Sequence, residues 1–227
     1  ILGTLTVAVY KSYGFVPDPV FIWTTGNNGL LGSMLALLFV AMGLGGWWLD
    51  RQAWHKQAWI QCQTGRSPTD FVDQAGMGPA LLNMSLTGAI GTAYVLAVGG
   101  DLNGPTLGAI FTIVGFSAFG KHPRNIVPIM LGVFIASMLK DWNANAPSAV
   151  LAALFGTTLA PIAGCFGWRW GIVADFVHSS VALTVGQMHG GLVLYNNGFA
   201  AGLVAAILVP VIIALQPVDK PDPGAPQ

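Results

Sequence analysis

Four stretches of this chain, residues 29–49, 78–99, 148–165 and 199–215, run for 17 to 22 residues without an Asp, Glu, Lys or Arg. A helix crossing the hydrocarbon of a bilayer needs roughly 17 to 25 mostly apolar residues, so each run is long enough to span. The rest of the 227-residue chain agrees: 54% is hydrophobic, 8% is charged, and nine basic residues balance nine aspartates with no glutamate. Soluble domains carry about 25% charged residues, and a chain this poor in charge cannot cover a water-facing surface. A soluble enzyme, a disordered protein and a nucleic-acid binder are excluded together. Cys62 and Cys165 form neither a disulfide framework nor a zinc or redox spacing, so no metal site and no cofactor is expected.

Three further apolar runs bring the expected segments to seven. Residues 106–120 and 126–140 flank the turn Lys121-His122-Pro123-Arg124-Asn125 and are short enough to be re-entrant. Residues 172–188 carry Asp175 and His178, which turns that segment toward protein or water. The expected fold is therefore all-α, a polytopic helical membrane protein of about seven segments. Residues 1–49 read as the end of a first membrane repeat, 50–77 as a polar interfacial linker, 78–216 as a second repeat and 217–227 as a disordered Pro-rich tail. The opening Ile1-Leu2-Gly3, with no initiator Met and no signal-peptide pattern, reads as the start of a fragment. If the segments alternate, one side receives Arg51, Lys56, Arg66, Lys121, Arg124, Arg169 and Lys220, and the other only Lys11 and Lys140. The positive-inside rule then makes the 50–77 side cytoplasmic.

The duplication rests on a turn that occurs twice. Asn27-Asn28-Gly29 and Asn196-Asn197-Gly198 each open a glycine-rich apolar helix. Membrane transporters are often built from repeats with their sites at the repeat interface. The stretch 187–198 sets His189, Tyr195, Asn196 and Asn197 among glycines, as a neutral or cationic solute site requires, although a loop with an aromatic anchor has the same composition. Asp101 and Asn103, between two apolar runs, suit either solute contact or a tight turn. Together with Asn27 and Asn28, these six residues form the candidate substrate-binding set.

Asp175 and His178 stand three apart on one helical face and can share a proton, which makes them the candidate coupling pair. The alternative is structural, with Asp175 near the interface and paired to Arg169. The Lys121–Asn125 stretch suits either a gate or anion contact between two short helices or an ordinary cytoplasmic turn, and the turn is expected because the positive-inside bias accounts for its charges. Glycines four apart at Gly104 and Gly108, Gly186 and Gly190, and Gly198 and Gly202 are expected at close helix contacts. No zinc-protease, nucleophile-elbow, Walker or dinucleotide pattern is present, so transport of a small polar solute stands ahead of a membrane-embedded enzyme using Asp175, His178 or His189, or a structural component.

The strings GGDLNGPTLGAIFTIVGFSAFGKHPRNIVPIMLGV (99–133), LAALFGTTLAPIAG (151–164) and MHGGLVLYNNGFAAGLVA (188–205) resemble a bacterial membrane family catalogued as domain of unknown function 1576. The resemblance covers about residues 77–216 and implies a multi-pass protein of the bacterial inner membrane with no assigned activity. It carries no functional residues over. The turn Tyr195-Asn196-Asn197-Gly198 is also similar, over those few residues, to a turn of urea channels. The implied partners are the lipid bilayer, a small polar solute and a second copy of the chain.

Overall fold

Long apolar runs lacking β-favouring alternation satisfy their backbone groups within themselves, as helices. The computed structural model describes residues 2–15, 23, 26–66, 69–188 and 196–215. Among them the chain is all-α, with no strand. The helices are α1 (Leu2–Ser12), α2 (Asn28–Leu49), α3 (Ala53–Ile60), α4 (Phe71–Ala75), α5 (Met77–Ala97), α6 (Gly104–Phe116), α7 (Pro123–Leu139), α8 (Pro147–Gly156), α9 (Ala160–Phe166), α10 (Trp168–Met188) and α11 (Asn196–Leu215). A 3-10 turn, Thr157–Leu159, joins α8 to α9. The tail 217–227 lies outside the described residues.

Four helices are long and apolar enough to cross a bilayer: α2, α5, Pro147–Phe166 and α11. They coincide with the four charge-free runs. The short runs become α6, of 13 residues, and α7, of 17. α2 and α11 leave large apolar side chains such as Leu37, Leu44, Ile207 and Leu215 exposed, a surface that hydrocarbon solvates and water does not.

α2 packs antiparallel on α5. Gly46 lies against the Gly78 carbonyl, Ser85 donates to the Phe39 carbonyl at 2.8 Å, and the Phe39 ring fills the space that a side chain at Gly88 would take. α7 runs parallel to α10, with Gly132 against the Ile172 carbonyl and Gly171 against Pro128 and Ala163. Closeness of this kind lets backbones meet and adds dispersion contact. The expected four-apart glycines do not supply it. Gly108, Gly198 and Gly202 are exposed and have no neighbour where a Cβ would project, because the packing of α6 and α11 turns the faces they lie on outward. Gly104 touches only Trp23, and Gly190 lies outside the described residues.

Residues 50–77 fold onto the helix ends. Ile60, Phe71, Ala75 and Ala80 form a small core, while Trp54 and Trp59 stay exposed. Buried Gln57 donates to Asn83 Oδ1 at 2.8 Å, and Asn83 Nδ2 donates at 2.7 Å to the carbonyls of both Ser117 and Lys121. Gly65, at φ 70°, lies against the Gly120 carbonyl, and the Thr64 carbonyl lies against Gly164. This strap closes one end of the α6–α7 turn.

Candidate functional site

Helix α8 stops inside the molecule. Its last residue is Gly156, Thr157 turns its hydroxyl back to the Leu154 carbonyl at 2.6 Å, and Pro161 lacks the N–H that a continuous helix would need. Breaks at this depth occur where neighbouring protein groups answer the freed backbone. Two elements approach this one.

From α10 come Asp175 and His178, both fully buried. The absent side chain of Gly156 makes room for the carboxylate, since a Cβ there would collide with both Asp175 oxygens. His178 Nδ1 lies 2.6 Å from Asp175 Oδ1, off the line of an ideal hydrogen bond, and neither carboxylate oxygen has another partner among the described residues. His178 Nε2 lies 3.1 Å from the Asn197 carbonyl. A carbonyl only accepts, so Nε2 carries a hydrogen, and the remaining nitrogen faces the carboxylate. The Nδ1–Oδ1 contact lacks hydrogen-bond geometry, and one proton, carried by the imidazole or by the acid, is what would make it favourable. The pair is then neutral overall. Removing that proton would leave a carboxylate buried beside a lone pair, and adding another would leave a net positive charge in a dry interior. Arg169 does not reach Asp175; its guanidinium lies over the Trp168 ring, 5.4 Å from the centroid.

The first residues of α11 complete this side. Asn196 Nδ2 donates to the Ala182 carbonyl at 2.8 Å, and Asn197 Oδ1 is buried without a partner among the described residues. Ala152, Ala182 and Ala200 pack in one layer, small enough for α8, α10 and α11 to close together.

On the other side of the break stands Lys121. It is 9% exposed, and its ammonium donates to Thr157 Oγ1 at 2.8 Å with the Phe116 ring 5.2 Å away. Burial pushes its pKa down to about 7. His122 is also buried, its Nε2 lies 2.9 Å from the Gln63 carbonyl, and burial pushes it down to about 4, assisted by nearby Arg124 and opposed by that backbone contact. The expectation of an ordinary solvated turn is therefore corrected: Arg124 is exposed, but Lys121 turns inward to Thr157 and His122 to the Gln63 carbonyl. Adjacent residues of the break, Gly156 and Thr157, meet an acid–imidazole pair and an amine from two different elements.

The remaining candidates lie elsewhere. Asn27 caps α2 by accepting from Leu30 N at 2.9 Å. Asn28 donates to the Gly100 carbonyl at 3.1 Å and to Asp101 Oδ1 at 3.3 Å, and accepts from Leu102 N at 2.9 Å. Asn103 caps α6 in a reciprocal box with Thr106. His189 and Tyr195 lie outside the described residues. Gly156 and Thr157 escaped sequence reasoning, and Lys121 was singled out there but expected in an ordinary turn. The local signal was the string Phe155-Gly156-Thr157-Thr158-Leu159-Ala160-Pro161, which pairs a glycine and a proline inside a run that otherwise reads as one helix.

Among known proteins, the sequence model of the family described as Protein of unknown function (DUF1576) matches residues 49–214. No curated protein and no solved structure matches the chain.

Proposed function

The chain belongs to the DUF1576 family, a family of unknown function, and we propose that it moves a small polar solute across a membrane with proton coupling through Asp175 and His178. The observation that carries this reading is the buried Asp175–His178 contact packed against Gly156 at the break between α8 and α9. Intramembrane ionisable groups beside interrupted helices are what proton-coupled transporters use. Asn196 and Asn197, with His189 and Tyr195 in the adjoining stretch, would contact solute. Asn27, Asn28, Asp101 and Asn103 belong to the same candidate set, although their local bonds favour a supporting role. An enzyme using Asp175 would need substrate access that a fully buried side chain does not offer.

In this reading seven helices alternate across the bilayer: α2, α5, α6, α7, α8 with α9, α10 and α11. α2 ends a first repeat, and the later helices form most of a second. The 50–77 segment and the Lys121 turn face the cytoplasm of a bacterial inner membrane. Exposed Cys62 tests the orientation, because a membrane-impermeant thiol reagent added to intact cells should leave it unlabelled. Labelling from outside would reverse it.

Transport is tested by volume change of proteoliposomes challenged with urea, ammonium, glycerol and small amides. Saturable entry of one solute, faster than in empty vesicles, is expected. Rates equal to empty vesicles across the panel, with and without a proton gradient, contradict the proposal for these solutes.

A further inference from the structure

On the outer face, where α2, α3 and α5 meet, lies a groove of about 720 Å³. Its walls are apolar, among them Val40, Leu44 and Leu86, and it is kept open by small side chains at Ala36 and Ala89. One end is different. Arg51, Trp54 and His55 close it, with the Arg51 guanidinium 3.9 Å above the Trp47 ring.

The charges at this end are unbalanced. Asp50, the nearest acid in sequence, is already engaged: Lys56 Nζ donates to Oδ2 and Gln52 N to Oδ1, each at 2.8 Å, and these bonds hold its carboxyl below the usual range. Among the described residues Arg51 has no ion pair, so its stacked guanidinium keeps donors free. It stands two residues before α3, where the Ala53 N–H is bonded to the Asp50 carbonyl and the next N–H groups, of Trp54 and His55, have no intrahelical acceptor. Exposed His55 lies on the same rim. From Ala36 to Trp47 the groove follows about 16 Å of α2, enough to lodge one acyl chain in a leaflet of about 15 Å.

We propose that this groove binds a phospholipid with an anionic headgroup, its phosphate at Arg51 and the first turn of α3 and one acyl chain along the groove between α2 and α5. The inference rests on the reading above that these helices lie in a bilayer with the 50–77 side cytoplasmic, where anionic lipid is concentrated. Guanidinium stacking on Trp47 orients the charge, and exposed Trp48, Trp54 and Trp59 place the same level at the headgroups.

The test is native mass spectrometry of the detergent-purified protein with equimolar dioleoyl-phosphatidylglycerol and dioleoyl-phosphatidylcholine. The wild type should retain the anionic dioleoyl-phosphatidylglycerol preferentially. Arg51→Gln should lower that preference about fivefold, Arg51→Lys should keep it, and Ala89→Trp, which fills the groove at an exposed position, should weaken both lipids. Unchanged preference in Arg51→Gln overturns the proposal. Displacement of the lipid by glycerol 3-phosphate also overturns it, because the site would then read phosphate without the acyl chain. Carbonate extraction of cell membranes is measured in parallel. Release of the protein there defeats the bilayer reading and this inference together, whereas retention with no lipid preference defeats this inference alone.

Discussion

Asn27 and Asn28 hold the start of α2, and Asn196 and Asn197 hold the start of α11, but the groups that answer them differ in kind. At the first turn the side chains complete local structure: Asn27 caps its own helix, and Asn28 fastens the loop at Gly100 and Leu102. Its surroundings are partly exposed, so water can stand in for a lost bond. At the second turn the Asn197 carbonyl receives His178, and behind His178 stands the buried carboxylate of Asp175. The same three-residue turn is thus a staple in one place and one wall of a buried acid–imidazole pair in the other. What separates them is the neighbouring element, since α10 brings an ionisable pair and the 99–103 loop brings backbone.

The largest expected effect follows from that contrast. His178→Leu leaves Asp175 buried without its partner and should destabilise the protein by about 3–5 kcal/mol, while the double variant with Asp175→Leu recovers much of the loss. Urea unfolding in detergent reads both. A double variant no more stable than His178→Leu would remove the charge argument.

Gly156→Ala forces a methyl group onto the Asp175 oxygens and should cost about 1–3 kcal/mol. Gly198→Ala, at the exposed turn with nothing within 4 Å of its Cβ position, should stay within about 0.5 kcal/mol. Equal effects at the two glycines would show that the carboxylate does not sit against the break.

Lys121 tests the other side of the break through pH. Folding holds its pKa near 7 against an ordinary 10.5, so between those values the unfolded chain binds more protons. Stability should therefore rise from pH 7 to pH 9 by about 1 kcal/mol per unit, a slope that Lys121→Met removes. An unchanged slope in the variant would place the amine in water. The smallest effect is expected at the first turn, where Asn27→Ala loses a helix cap and about 1 kcal/mol, measured by the same unfolding assay. A loss as large as that of His178→Leu would erase the distinction between the turns.

The long helices were legible because spanning length and absence of charge are local properties, and the four charge-free runs match the four stretches among the described residues that are helical, long and apolar enough to cross a bilayer. Asp175 and His178 were legible as a pair because three-residue spacing on a helix sets their proximity. Lys121 was not. Its ammonium is taken up by Thr157, 36 residues away at the break after α8, and no local pattern announces that packing. The outward placement of Gly108, Gly198 and Gly202 was hidden for a similar reason: spacing fixes a common face, and tertiary packing decides where the face points.

The account stands most directly on uptake into proteoliposomes driven by an imposed proton gradient, with the solute identified by the volume assay. Asp175→Asn should reduce gradient-driven uptake to the level of empty vesicles, and Asn27→Ala should retain most of the wild-type rate. Gradient-driven uptake by Asp175→Asn at the wild-type rate would contradict the central claim that the buried acid–imidazole pair couples protons to transport.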